Sequence, residues 1–274
     1  MKKFRKSAAI LILVLLIGTL AGCGKAESGE EAKVIKVGLT GTIYEDIWAP
    51  IVEEFAEEGI TIELVQFSDF SLPNQALDSG DIDLNAFQHH AYFNSDVESN
   101  GYDITPIGDT FVIAMNIYSD RISDVSELKD GDKVGIPNDA SNGGRAIKLL
   151  ESAGLITLKE SAGSNPEISD IENYNVKIEL VEANAADLCT LLPDLSAAVI
   201  NGNYALDYGI YPQEDAIFFE NDYEDDSYFC LIAARSDEAD NEIYQRIVEA
   251  FQSETTKEIF KDEFKGFFVP AWEE

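Results

Sequence analysis

The feature that constrains the fold most is the alternation of two hydrophobic periods along the first part of the chain, that of a strand and that of a helix. Three runs alternate between apolar and polar residues, the period of a half-buried strand: residues 34–40, 60–67 and 82–86. Between the first two runs, apolar residues recur four apart on one helix face: Ile47, Ile51 and Phe55. Pro50 is tolerable in that helix only near its first turn, and Pro73 is placed to begin a second, short helix. This order within about 55 residues predicts a parallel or mixed α/β sheet.

The residues after the third strand combine aromatic, amide and imidazole groups. Phe87, His89 and Tyr92 present apolar faces with hydrogen-bonding tips among them. Ligands of open α/β sheets bind beyond the carboxyl ends of the strands. We therefore predict a site here for a small ligand with one apolar and one polar end. The alternative is a strand end that packs one aromatic side chain into the core and leaves surface histidines beyond it.

The middle of the chain predicts a second lobe that contains an arginine at a strand–helix junction. A long strand over residues 111–118 leaves the first lobe, and a strand over 133–136 leads into a helix over 146–153 that Ser141 and Asn142 can cap. Arg145 at this junction can grip a carboxylate with two hydrogen bonds, worth about 1.5–3 kcal/mol each. The alternative is a surface arginine that pairs with one of the many acids.

A third polar group follows the strand predicted over residues 197–200. The Asn201 amide could donate to the carboxylate of an amino acid and accept from its ammonium group. A helix cap for Tyr204 and the residues after it is an equal alternative.

The chain crosses between the predicted lobes twice, near residues 115–120 and 220–228. We predict a first lobe of residues 34–117 and 228–274 and a second lobe of residues 118–227. A cleft between two lobes is a favoured place for a small-molecule pocket, which closes by hinge motion.

The amino terminus carries an export signal. Four basic residues precede a short apolar run that ends in Leu-Ala-Gly before Cys23. This resembles the lipobox of bacterial lipoproteins, so we predict a signal peptide over residues 1–22, lipid on Cys23 and a tether over residues 23–33. The protein is then exported and held at the outer face of the cytoplasmic membrane or in the periplasm by lipid. The alternative is an ordinary secretory signal with a chance cysteine.

Charge and cysteine content exclude several partners. Without the four basic signal residues, 15 Lys and Arg remain against 52 Asp and Glu, a formal charge of −37. So acidic a surface argues against binding nucleic acid or anionic lipid. Cys189 and Cys230 are predicted to be buried free thiols, because nothing resembles a disulfide framework.

Three other classes of protein remain as alternatives. A metal-uptake lipoprotein could use His89 and His90, but the sequence has no third histidine. A hydrolase could use Cys189 or Cys230 with His89, although no spacing proposes a nucleophile, base and orienting group. A structural or adhesive surface protein would not explain three polar clusters at strand ends. We predict a binding protein with no catalysis, cofactor or resident metal.

Six passages, in order over nearly all the predicted mature chain, resemble the methionine-binding lipoproteins, the NlpA-type substrate-binding proteins of ABC importers. They are Lys-Val-Gly-Leu-Thr at 36–40, Ser-Asp-Phe-Ser-Leu-Pro-Asn-Gln-Ala-Leu at 68–77, Gly-Asp-Ile-Asp-Leu-Asn-Ala-Phe-Gln-His at 80–89, Tyr-Ser at 118–119, Ile-Pro-Asn-Asp-Ala-Ser-Asn-Gly-Gly-Arg at 136–145 and Val-Ile-Asn-Gly-Asn-Tyr-Ala at 199–205. The resemblance implies a two-lobed, type II-like periplasmic-binding-protein fold. It also implies a monomer that delivers methionine, or a close relative, to a membrane permease.

The resemblance assigns a role to each candidate residue. Arg145 would hold the ligand carboxylate, and Asn201 and His89 would add polar contacts. Phe87 and Tyr92 would wall the apolar pocket. We expect Arg145→Ala to abolish binding and leave the fold intact.

Two positions depart from the pattern of the family. Phe70 stands where tyrosine is common, and Cys230 stands where the returning strand usually carries a ligand-binding asparagine. The ligand could therefore be another amino acid, D-methionine, cystine or a short methionyl peptide.

Overall fold

The structure of the protein is a computed structural model that describes residues 33–221, 226–265 and 267–272. The predicted signal peptide, Cys23 and the tether up to residue 32 lie outside these ranges. No helix among the described residues has the length and apolar character to cross a membrane.

The regular elements alternate along the chain as the sequence pattern predicts. In chain order, the strands are β1 (Lys33–Leu39), β2 (Ile60–Gln66), β3 (Leu84–Asn85), β4 (Ile104–Asp109), β5 (Phe111–Ile113), β6 (Met115–Tyr118), β7 (Lys133–Pro137), β8 (Ile156–Leu158), β9 (Ile171–Tyr174), β10 (Glu179–Ala183), β11 (Ala197–Asn201), β12 (Ala216–Phe218), β13 (Leu231–Arg235) and β14 (Phe268–Pro270). The α-helices are α1 (Tyr44–Glu57), α2 (Pro73–Asp78), α3 (His90–Asn100), α4 (Ala140–Ser152), α5 (Leu188–Leu191), α6 (Gly202–Asp207), α7 (Pro212–Asp215), α8 (Glu242–Phe251) and α9 (Glu254–Asp262). Single turns of 3-10 helix cover Val125–Glu127, Ile168–Asp170, Ala185–Asp187, Leu192–Asp194, Asp226–Tyr228 and Ser236–Glu238.

The first lobe is built on a mixed five-stranded sheet in the order β2-β1-β3-β13-β4. β1 is parallel to β2 and β3, whereas β13 is antiparallel to β3 and β4. The predicted mixed α/β sheet is confirmed. Helix α1 buries Ile47, Trp48 and Phe55 in the core of this lobe, where Trp48 lies 5.4 Å from the ring of Phe251. Pro50 lies in the interior of α1, beyond the first turn, so that expectation is wrong.

The second lobe is built on the sheet β10-β7-β11-β6-β12. β7 is parallel to β10 and β11, and β6 is antiparallel to β11 and β12. Helix α4 begins at Ala140, earlier than predicted, because the Asp139 side chain accepts a hydrogen bond from the backbone of Asn142 and caps it. Ser141 and Asn142 are therefore inside the helix and do not cap it.

The first crossing is a series of short strands and not one long strand. β4 pairs with β13, β5 pairs with the carboxyl-terminal β14, and β6 pairs with β11 and β12 of the second lobe. Each strand joins a different sheet, and Thr110 and Ala114 separate them. The predicted boundary between residues 117 and 118 falls inside β6.

Side chains of α6, in the second lobe, reach backbone groups of the first lobe. Asp207 Oδ1 accepts hydrogen bonds from the backbone N–H of Thr42 and of Ile43, both at 3.0 Å, and so holds the residues just before α1. Asn203 Nδ2 donates to the carbonyl of Thr40 at 3.1 Å.

Candidate ligand-binding site

One cavity between the lobes gathers every side chain that the sequence proposed for binding. It is lined by all seven of them: Phe70, Phe87, His89, Tyr92, Arg145, Asn201 and Cys230. The walls leave a space of about 20 Å³, enough for about one water molecule. Sequence reasoning did not propose several other wall residues, among them Asn142, Met115 and Tyr44.

Aromatic rings form one wall of the cavity. The ring of Phe70 lies 5.8 Å from those of Phe87 and Tyr92, and 4.8 Å from that of Tyr204. The Tyr92 hydroxyl donates to the Phe70 carbonyl at 2.9 Å, so it is already engaged. This wall therefore offers mainly apolar faces to a ligand.

His89 lies at the start of α3 and is held at both ring nitrogens. Nδ1 accepts from the Tyr92 backbone at 3.1 Å, so Nε2 carries the proton and donates to Asn142 Oδ1 at 3.2 Å. Burial, with the charge of Arg145 second, lowers the His89 pKa to about 3. His89 is thus a neutral hydrogen-bonding group at physiological pH.

Amide side chains continue from His89 into the second lobe. Asn142 Oδ1 also accepts from Asn201 Nδ2 at 2.8 Å, and Asn142 Nδ2 donates to the Asp139 carboxylate. Asn201 Oδ1 is buried and has no hydrogen-bond partner among the described residues. An unpaired buried acceptor is costly, so the acceptor half of this amide is the part ready for a ligand.

Arg145 is buried and already paired with an acid. Its Nε donates to Glu220 Oε1 at 2.7 Å, and its Nη2 donates to Glu220 Oε2 at 2.5 Å and to the Ile113 carbonyl at 3.0 Å. The Tyr228 ring centroid lies 4.3 Å from the guanidinium carbon. Burial has the largest single effect and acts to lower the Arg145 pKa, but the charge and hydrogen bonds of Glu220, together with Tyr228 and Cys230, raise the Arg145 pKa overall.

This pairing places Arg145 differently from either reading of the sequence and leaves its role in ligand binding as a prediction. Arg145 is not a surface residue, and it lies beyond the first turn of α4. Its Nε–Nη2 edge is occupied by Glu220, so a two-point grip on a ligand carboxylate through that edge is not available in this conformation. Sequence reasoning did not propose Glu220 for the site.

Cys230 lines the cavity as a protonated thiol. Burial raises its pKa to about 12, and its backbone forms an isolated antiparallel bridge with His89. Cys189 lies in the core of the second lobe, where burial raises its pKa to about 11. Both cysteines are buried and free, as predicted.

The two histidines serve different partners. His89 contacts Asn142, whereas His90 Nε2 lies 2.6 Å from Asp109. No group of three or more His, Cys, Asp or Glu side chains gathers as a metal site within the described part of the chain.

Two α/β lobes around a closed cavity with an aromatic wall, a paired arginine and amide groups define a substrate-binding protein of the periplasmic type. The sequence model described as NlpA lipoprotein matches residues 35–272, and the chain belongs to that family.

Relatives and solved structures agree with this assignment. The chain is 38% identical over 274 residues to the D-methionine-binding lipoprotein MetQ of Yersinia pestis, covering 98% of this chain and 99% of that protein. It is 38% identical over 276 residues to the protein of that name in Escherichia coli K12, with coverage of 98% and 99%. A nutrient-binding protein of Burkholderia cenocepacia, solved with methionine bound, superposes with a TM-score of 0.81 at 38% identity, covering 87% of this chain and all of that one.

The family consists of substrate-binding proteins of ABC importers and not of enzymes. The predicted two-lobed fold and the prediction that the chain is not an enzyme are confirmed.

Proposed function

We propose that this protein captures methionine as a zwitterion outside the cytoplasm and delivers it to the permease of an ABC transporter. The observation that supports this most is the single cavity that unites an aromatic wall, a buried guanidinium and an unpaired amide oxygen. Relatives of similar length named as D-methionine-binding lipoproteins support the choice of ligand.

Each group of the ligand has a complement in the cavity. The thioether packs on the rings of Phe70, Phe87 and Tyr92, since sulfur–aromatic contacts are favourable. The carboxylate binds Arg145 through Nη1, and the ammonium group donates to Asn201 Oδ1. This mode requires the cavity to expand from its present 20 Å³.

Cys230 affects which ligand the cavity prefers. A protonated thiol is a weaker hydrogen-bonding group than the asparagine common in the family. We propose methionine first, with D-methionine, cystine, another amino acid or a short methionyl peptide as the alternatives.

We propose that residues 1–22 are a signal peptide and that Cys23 carries the lipid that holds a monomeric protein at the outer face of the membrane. The tether then ends where β1 begins, at Lys33. Mass spectrometry of the protein from membranes would detect the lipid, and Cys23→Ala should release the protein.

Thermal unfolding tests the ligand directly. A ligand at about 100 times its Kd stabilises the folded state by about 2.7 kcal/mol, which corresponds to a rise in Tm of about 5–11 °C for a chain of this size. We expect that rise with methionine for the chain without residues 1–23, whose residues 32–274 form one compact unit. The same sample should be unfolded, dialysed and refolded first, to remove any ligand carried through purification. No shift with any amino acid or methionyl peptide after that step would refute the proposal.

A further inference from the structure

Glu220 is placed to control what Arg145 can bind. Its two carboxylate oxygens accept hydrogen bonds from Nε and Nη2 of Arg145, and Oε2 also accepts one from the Met115 backbone N–H at 2.8 Å. Its own backbone N–H donates to Asn116 Oδ1 at 3.0 Å. Glu220 is thus fixed at its backbone and its carboxylate, close to the second crossing between the lobes.

The donors of Arg145 are nearly exhausted by these contacts. Nε has one hydrogen and gives it to Glu220. Nη2 has two, which go to Glu220 and to the Ile113 carbonyl. Nη1 is the guanidinium nitrogen with no hydrogen bond to a described residue, and it is the one left for a ligand.

The pair also fixes the charge of the cavity wall. Arg145 and Glu220 are both more than nine-tenths buried, and their charges cancel. His89 is neutral, and Cys230 is protonated. Several other acids act on the residues of the wall. Asp69, Asp96, Asp109 and Asp207 are partly or fully exposed to solvent. Asp139 accepts hydrogen bonds from Ser141 and Asn142 at the start of α4, where it meets the positive end of the helix dipole.

A buried site without net charge favours a ligand without net charge, since an uncompensated charge is costly to bury. We propose that Glu220 is a positioning residue that sets ligand selectivity: it turns Arg145 so that Nη1 meets the ligand, and it cancels the arginine charge so that the cavity accepts a zwitterion and rejects singly charged analogues. This inference rests on the proposed binding of methionine.

Three test ligands share one thioether chain and differ in charge, so comparing their affinities shows the effect of charge. Methionine is a zwitterion, 4-(methylthio)butanoate lacks the ammonium group and is an anion, and 3-(methylthio)propylamine lacks the carboxylate and is a cation. Both analogues are smaller than methionine, so a failure to bind is not steric. Competition against labelled methionine gives the three Kd values for the wild type and for Glu220→Gln in the full chain.

The wild type should bind methionine at least about tenfold more tightly than either analogue. In Glu220→Gln the arginine charge is uncompensated, so the ratio of the Kd of 4-(methylthio)butanoate to that of methionine should fall at least about tenfold. Two unit charges about 6 Å apart at an effective dielectric near 20 interact strongly enough for that change. The cation should bind still more weakly. A role in folding alone would not change this ratio.

Glu220→Asp is the matched control, because it keeps the charge and shortens the reach. It should weaken methionine binding but leave the ratio close to that of the wild type. The inference is overturned if the ratio is the same in wild type and Glu220→Gln, if the anion competes with neither protein, or if Glu220→Asp alters the ratio as much as Glu220→Gln. A wild type that binds the anion as tightly as methionine would overturn it without any variant. A wild type that binds none of the three ligands would instead refute the proposed function.

Discussion

Arg145→Ala should weaken the fold as well as the binding of ligand, contrary to the expectation from sequence. The substitution removes both hydrogen bonds from the guanidinium to Glu220 and the counter-charge of a carboxylate that is only 8% exposed. Breaking a buried pair by removing one partner costs about 3–5 kcal/mol. At about 2–4 °C per kcal/mol for a chain of this size, the Tm should fall by about 6–20 °C. Domains have about 5–15 kcal/mol in total, so most molecules still fold.

Urea unfolding, followed by circular dichroism, measures this loss in the free energy of unfolding. The comparison requires that this free energy falls with urea concentration at the same slope in wild type and variant. Arg246 offers a matched control, because it makes a two-point contact with Glu58 at 2.6 and 2.7 Å but is exposed. Arg246→Ala should leave the midpoint nearly unchanged. The double variant Arg145→Met with Glu220→Leu should recover most of the loss, because no unpaired charge stays buried. A loss below about 1 kcal/mol in Arg145→Ala, or a double variant no more stable than the single one, would refute this reasoning.

Three further predictions follow from single contacts. Asp207→Ala removes the hydrogen bonds to the Thr42 and Ile43 backbone and should lower the free energy of unfolding by about 1 kcal/mol, measured in urea. Cys230→Asn should tighten methionine binding about tenfold or more, since hydrogen bonds to charged groups contribute about 1.5–3 kcal/mol, measured by calorimetry. His89 titrates near 6.5 when unfolded and near 3 when folded, so the unfolded chain takes up the proton first. The wild type should therefore lose up to about 1.4 kcal/mol per pH unit as pH falls from 6.5 towards 3, and His89→Gln should remove that contribution in urea unfolding.

Each of these three predictions has a control variant and a result that would contradict it. Glu160→Ala removes an exposed carboxylate and should not alter stability; an equal loss there would contradict the role given to Asp207. Cys189→Ala removes the thiol that lies outside the cavity and should leave affinity unchanged, and an unaltered Kd in Cys230→Asn would contradict the role given to that position. If His89→Gln keeps the full acid sensitivity of the wild type, buried His89 is not its source.

Local pattern predicted much of the fold because it reflects burial of one face. α1 and β2 each bury mainly one side, and β1 does so over its first half, so their helical or alternating periods are visible in sequence. The segment from residue 111 to 118 was misjudged because Asn116 is its only strongly polar residue, and only its strand partners decide where it divides. β4, β5 and β6 pair with strands from distant parts of the chain, which no local pattern records.

The candidate site was also predicted only in part from the sequence. The resemblance led to seven side chains that the structure brings to one cavity. It did not lead to Glu220, which is one of 52 acids and lies 75 residues from Arg145. Asn142 was assigned to a cap, although it links His89 to Asn201 across the two lobes. Positions that act through another side chain leave no signal in a single sequence.

The small volume of the cavity limits how fast ligand can exchange. An amino acid does not fit within about 20 Å³, so it enters and leaves only through a conformation in which the lobes stand further apart. The residence time then cannot be shorter than the time the protein needs to open, and the rate of capture should stop rising once ligand is abundant. Contacts such as that of Asp207 with the Thr42 backbone act on this opening from outside the lining of the cavity. Speed and affinity of uptake can therefore be tuned at separate positions of the chain.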